Sequence, residues 1–252
     1  MEKLMRKVEE LKDACGKEEN VKILQEIGKE LVSNYEIKLS NNSLVIMPLW
    51  VEAYYADIDD IDAYESNIGE KFIDPFIHGA DEQKGAENFG RLYFHHKTDD
   101  QRSGVDICLP CGPYYLSFLL KYTLVNNVFT TQSQLSGKIR EAYNKLKEDE
   151  QSKILTRVGN ETEYEYVTYT TRVGLNSKNE KDPIKKQQKE EYQPFLLAIV
   201  RDFHKTFTAT PSLPRKETLV KQYLNSSNKS MVEKAEFCKT YLGYCPKEYK
   251  EK

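Results

Sequence analysis

The chain lacks a surplus of positive charge. Its 252 residues carry 37 Lys and Arg against 40 Asp and Glu, a net charge of −3, with a pI near 5.9. A whole-chain basic footprint for nucleic acid is excluded, so such a partner needs a local basic face. The chain also lacks any apolar run approaching the roughly 20 residues of a membrane span. Its opening stretch, MEKLMRKVEELKDACGKEENV, is charged throughout and has no signal-peptide core. A cytoplasmic protein without membrane contact is expected. No glycine loop fit to cradle phosphate and no G-x-S-x-G elbow occur, and no cofactor is expected.

Five cysteines, Cys15, Cys108, Cys111, Cys238 and Cys245, form an odd set in a chain without an export signal. They read as free thiols. Cys108-Leu-Pro-Cys111 does not open a helix, as a redox pair should, and lacks the second pair that a zinc site needs. The acidic residues Asp57, Asp59, Asp60 and Asp62 tempt a metal reading. A calcium loop starting at Asp57 needs a polar residue, Gly and Glu at its fifth, sixth and twelfth positions; here stand Ile61, Asp62 and Ile68. No metal site is expected, and the run reads as a solvated loop.

The remaining patterning is that of a globular protein: 39% hydrophobic residues, with 17 Tyr and 10 Phe. Helices are predicted over 1–13 and 18–34, where Val21, Leu24, Ile27, Leu31 and Val32 recur at helical steps. Strands are predicted in SLVIMPLWVEAYY, with Pro48 as an interruption or edge mark, and in RLYFHHK and GVDICLP around a hairpin. Further strands are predicted in YYLSFLLKYTLV, YEYVTYTTRVGL and PFLLAIVRDF. SQLSGKIREAYNKLK reads as a helix with Leu135, Ile139, Ala142, Tyr143 and Leu146 on one face. After residue 204 a Pro-containing linker leads to a helical extension, 205–252.

Within LWVEAY, strand alternation puts Trp50, Glu52 and Tyr54 on one face. A carboxylate between two aromatics is partly desolvated, which makes it a better proton acceptor; the alternative is an acid on an exposed edge. His95 and His96 point to opposite faces of their strand, so one of them faces inward. Asp106 and Lys121 each interrupt an apolar strand and need partners, as a polar site or as a plain ion pair.

These residues fall in the order of a known set of motifs. The chain resembles the methylpurine (3-methyladenine, alkyladenine) DNA glycosylases in EIGKELV (26–32), LWVEAY (49–54), DPFIH (74–78), GRLYFH (90–95) and GVDIC (104–108). The resemblance continues through FLLKY (118–122), LSGKIREAY (135–143), TRVGL (171–175) and PFLLAIVRD (194–202). It covers about residues 21–202. It implies a single α+β domain, 1–204, built on a curved antiparallel sheet flanked by helices. It also implies base excision repair of double-stranded DNA, in which a damaged purine, alkylated or deaminated, is flipped into an aromatic pocket. Glu52 then matches the residue that activates water. Tyr54 matches the ring that stacks on the base, and His78 a pocket histidine. His95 replaces a second pocket tyrosine. Tyr93 is taken as a further pocket residue. Asp106 stands where the family has an Asn that helps exclude guanine, and Lys121 where it has an Arg near the water. Arg91, Lys97, Arg102, Lys138, Arg140 and Lys178 are assigned to the DNA backbone.

The hairpin tip Lys97-Thr98-Asp99-Asp100 lacks the family's wedge residue, and residues 55–73 form an acidic insertion. Two other readings therefore stand beside a glycosylase. One is a protein of that fold that binds a ligand, or a protein partner through its C-terminal extension, without cutting DNA. The other is a metal-dependent hydrolase using the Asp cluster.

Overall fold

The computed structural model describes residues 1–14, 16–57, 72–74, 76–77, 80–95, 103–110, 112, 114–158, 167–172, 181–183, 186–187, 190, 197–200, 216–226 and 229–250. Helix α1 (Glu2–Glu9) and a 3₁₀ turn (Glu10–Asp13) precede the 18-residue α2 (Lys17–Asn34). Leu24, Ile27 and Leu31 recur on one side of α2 and are buried, as the helical spacing predicts. Among the described residues nine strands follow: β1 (Tyr35–Leu39), β2 (Leu44–Ala56), β3 (Leu92–Phe94), β4 (Val105–Cys108), β5 (Tyr115–Val125), β6 (Val128–Thr131), β7 (Leu155–Arg157), β8 (Thr168–Thr171) and β9 (Leu197–Val200). Short α3 (Ala80–Gln83), then α4 (Gln132–Asn144) and α5 (Glu148–Gln151) lie among them. Helices α6 (Lys216–Ser226) and α7 (Met231–Leu242) close the described chain with a last 3₁₀ turn, Lys247–Tyr249.

The strands form one strongly curled antiparallel sheet, and the protein is a single α+β domain with a helical C-terminal tail. The boundary expected at residues 204–205 lies outside the described residues. Strand order is β3-β4-β5-β2-β1-β7, with β6 paired to β5 and with β9, itself paired to β8, on β2. The long strands β2 and β5 are its axis, paired from Ile46↔Val125 to Ala56↔Tyr115. Pro48 does not interrupt β2. It falls between the stretch of β2 paired to β1, which ends at Ile46, and the stretch paired to β9, which begins at Trp50. A residue without an N–H is tolerated in this gap, because no strand claims that donor.

The short strands β1, β6 and β7 are additions to the predicted set. The turn between β5 and β6 is Asn126-Asn127, both with positive φ (48° and 65°), the pair that a tight hairpin requires.

One face of the sheet belongs to the core. Val51, Ala53 and Tyr55 of β2, Phe118 and Leu120 of β5 and Ile107 of β4 pack with α1, α2 and α4 through Leu4, Ile27, Leu31, Leu135 and Ile139. Gly28 lets α2 press directly on the sheet: a Cβ there would stand 2.7 Å from Ile199 Cδ1 and 3.2 Å from Phe118 Cε1. The opposite face is covered at one end by the tail. Leu219, Val220, Leu224, Cys238 and Tyr249 gather around Trp50, Ala198 and Val200. These tail residues are buried against this chain's own sheet, whereas Met231, Val232 and Tyr244 of the tail stay exposed. Its second helix has its own signals, with a Ser230 cap on the Glu233 N–H and Gly243 in the left-handed region at the end. Among the described residues no helix is long and apolar enough to cross a membrane.

The close approach at Gly28 gives a direct test. Gly28→Val lowers stability by about 2 kcal/mol through overpacking, a fall in Tm of roughly 4–8 °C in thermal melts for a chain of this size. Gly137→Ala, on the exposed side of α4 with open space around its Cβ, raises stability by up to about 1 kcal/mol through helix propensity.

Candidate active site

Strand register alone assembles the site. On the face away from α2, Glu52 pairs with Leu119, Leu119 with Asp106, and Asp106 with Tyr93. These four side chains form a row across β2, β5, β4 and β3. One step toward the strand ends lies a second row. There Tyr54 pairs with Ser117, and Ser117 with Cys108. On the other side, Trp50 pairs with Val200, and the His95 N–H donates to Gly104 O at 3.1 Å. Residues 52 through 121 are thus brought together by a period of two on each of four strands.

Glu52 is 2% exposed. Lys121 Nζ donates to its Oε2 at 3.2 Å, and Lys121 is itself half-buried. Oε1 of Glu52 has no hydrogen-bond partner among the described residues. A carboxylate tethered by one oxygen beside a cation, with the other oxygen bare, suits the acceptance of a proton from a small donor.

Asp106 repeats the pattern. It is 2% exposed. His95 Nε2 lies 3.0 Å from its Oδ2, and Ser117 Oγ donates to the same oxygen at 3.3 Å. Ser117 has one proton and gives it to Asp106, so Tyr115 OH, 2.9 Å from Ser117 Oγ, is the donor of that link. Oδ1 of Asp106 has no partner among the described residues. Burial pushes the His95 imidazole toward its neutral form. The charge of Asp106 and its hydrogen bond outweigh this and raise the histidine above its ordinary 6.5. Gly104 makes the room: a Cβ there would meet His95 Cδ2 at 2.9 Å. Tyr93 stands edge-on to His95, with centroids 5.2 Å apart. Burial first, then a hydrogen bond to Glu82, pushes its phenol up to about 12.

Tyr54 has a partner that the sequence reading missed. Arg172, fully buried, lays its guanidinium 3.9 Å from the Tyr54 ring centroid. Its Nη2 donates to Asp74 Oδ1 at 2.8 Å and its Nη1 to Ala53 O at 3.3 Å. The N–H of Phe76 also donates to Asp74 Oδ1, at 2.9 Å. Asp74, Arg172 and Tyr54 form a rigid stack, and burial keeps the tyrosine proton well above its usual range. The signal was present in DPFIH and TRVGL, which hold Asp74 and Arg172. Nothing in either stretch announces a pairing across 98 positions.

The structure thus brings Glu52, Tyr54, Tyr93, His95, Asp106 and Lys121 to one sheet face. Three of the cations assigned to the DNA backbone are engaged in contacts of their own. Arg140 donates to His95 O at 3.5 Å with its guanidinium over Phe94, Lys138 to Thr130 Oγ1 at 3.1 Å, and Arg91 to Glu148 Oε1 at 3.5 Å. His78, Lys97, Arg102 and Lys178 lie outside the described residues, as do His96, Cys15, Cys111, Asp59, Asp60 and Asp62. Cys108, Cys238 and Cys245 are free thiols. Among the described residues no three His, Cys, Asp or Glu side chains gather as a metal site.

Two outcomes follow from these pairs. Arg172→Met removes the guanidinium that stands 2.8 Å from buried Asp74 and costs about 3–5 kcal/mol, a fall in Tm of roughly 10 °C in thermal melts. His95 is raised in the folded state, so its contribution to stability is complete below 6.5 and is lost as pH rises through the elevated value. Denaturant titrations at a series of pH values will show wild type losing stability above pH 6.5 with a slope that Asp106→Asn flattens.

Comparison of the chain with protein-family models, with curated proteins and with solved structures returns no match.

Proposed function

We propose that the protein is a divergent methylpurine DNA glycosylase, acting in the cytoplasm on duplex DNA that carries a damaged purine. The observation that carries this reading is Glu52: buried, bound through Oε2 to Lys121, and with no partner at buried Oε1 among the described residues, on a face lined with aromatic rings. In this reading Oε1 takes a proton from water. The water oxygen bonds to the sugar C1′ as the bond from C1′ to the base nitrogen breaks. The electron pair leaves with the base, where the positive charge of an alkylated ring accepts it. Lys121 holds Glu52 by Oε2 and so turns Oε1 toward the step. Tyr54 offers the flipped base a ring that Arg172 braces from one side and that is still partly exposed. Arg91, Lys138 and Arg140 supply phosphate contacts.

One observation favours a second reading, a binding module of the same fold that breaks no bond. Helices α6 and α7 occupy the sheet face beside Glu52, packed around Trp50, and narrow the approach for a duplex.

The two readings separate in a base-release assay on duplexes carrying alkylated purines or hypoxanthine. For the enzyme, Glu52→Gln slows release by at least ~10²-fold, the scale of a lost general base. It leaves duplex binding and the melting temperature close to wild type, because the amide keeps the shape. A Gln variant with full activity removes Glu52 from the chemistry, and one that unfolds makes it a structural acid. Tight duplex binding with no release by wild type supports the module.

A further inference from the structure

We infer that the structure describes a shut form of the site, in which the C-terminal helices α6 and α7 are an autoinhibitory cover. The inference rests on the glycosylase reading for its substrate and names the regulation of that site. The row of side chains at the site has no room over it. Glu52, Asp106 and Leu119 are 2%, 2% and 5% exposed. A flipped base therefore reaches Glu52 only after something lying on this face has moved.

The described element beside Glu52 is the tail. Ala198 of β9 is the register partner of Glu52, so its side chain shares the face of Glu52. Ala198 is fully buried in the cluster that Leu219, Val220 and Leu224 of α6 build with Trp50 and Val200. Helix α6 rests on β8, the strand outside β9. The tail thus lies across β8 and β9 as far as Trp50. It stands one strand from the carboxylate in one direction and two residues from it in the other.

Two features suit a cover that moves. The tail holds itself together: Lys221 Nζ of α6 pairs with Glu217 Oε1 at 2.7 Å and with Glu248 Oε1 of the last turn at 2.9 Å. Tyr244 OH, past the end of α7, donates to Glu217, and α7 packs on α6 and on the last turn. Both of the tail's ion pairs among the described residues are internal, so the two helices keep their clasp when they shift as one body. Seating the tail also strands a donor. Trp50 is 1% exposed, and its Nε1–H has no acceptor among the described residues. That penalty belongs to the shut form alone and vanishes when the face opens to water.

The test uses the full chain with Leu219→Asp, which places a charge in the apolar seat, and with Lys221→Glu, which reverses the clasp and leaves the seat residues in place. Hydrogen exchange read by mass spectrometry reports whether α6 and α7 have left the sheet. Carbodiimide coupling of glycine amide, mapped on the peptide that holds Glu52, reports whether the carboxylate is open. Single-turnover release of 7-methylguanine from a duplex reports activity. A cover open for about a tenth of the time or less predicts at least ~10-fold more labelling of Glu52 and at least ~10-fold faster release in both variants. Exchange should rise in α6 and α7 and stay unchanged in β5.

Raised tail exchange with Glu52 still protected removes the tail as its cover. Tail exchange at the wild-type rate in both folded variants overturns the inference as well. Raised labelling with release no faster than that of an active wild type overturns autoinhibition and leaves the glycosylase reading standing. Raised labelling with no release by any form overturns the glycosylase reading and keeps the tail as the cover of Glu52. If neither variant folds, wild type decides: in urea below the unfolding transition, α6 and α7 must exchange before β5, and Glu52 must become labelled with them. Exchange of all three together makes the tail a fixed part of the fold.

Discussion

The pairing of β2 with β5 is the constraint on which the rest depends. Along both strands side chains alternate between two faces, and the apolar set Val51, Ala53, Tyr55, Phe118 and Leu120 fixes which face meets the helices. Once that face is committed, Trp50, Glu52, Tyr54, Ser117 and Leu119 must share the other. A slip of one residue would bury Glu52 against α2 and expose Val51, so register is held by the same apolar burial that folds the chain. The polar face is a consequence of core packing, and its geometry is as rigid as the core.

That face is costly to keep. Glu52–Lys121, Asp106–His95 and Arg172–Asp74 take charge out of water, and buried pairs of this kind seldom repay their desolvation in full. A chain selected for stability alone would have apolar side chains here. The helical side, where Leu4, Ile27, Leu31, Leu135 and Ile139 are all fully buried, offsets the expense. Concentrating the unfavourable groups on one patch, opposite the best-packed one, is the arrangement expected where strain serves chemistry.

How much of this was legible follows the range of each signal. The helices, the long strands and the common face of Trp50, Glu52 and Tyr54 were readable because their periodicity is local. So was the pairing need of Asp106 and Lys121, since a charge inside an apolar strand demands a partner wherever it lies. The identity of a partner is set by topology. Arg172 sits in a strand segment like any other until β8 carries it under Tyr54 to meet Asp74. β1, β6 and β7 lie outside the predicted strands, although Asn126-Asn127 marks the turn before β6. Pro48 reads either as an interruption or as an edge mark, because a sequence does not show which edge of a strand is vacant. The tail's destination was hidden for a similar reason: its apolar residues announce burial without saying against what.

The tail has one more consequence. Trp50 is the chain's single tryptophan, buried between the sheet and the last two helices, with the ring of Tyr122 5.6 Å away. The whole indole emission of this chain therefore originates at one seam, where helices α6 and α7 meet the strand that bears Glu52. The chain carries an optical gauge of whether these helices are seated, two residues from its central carboxylate.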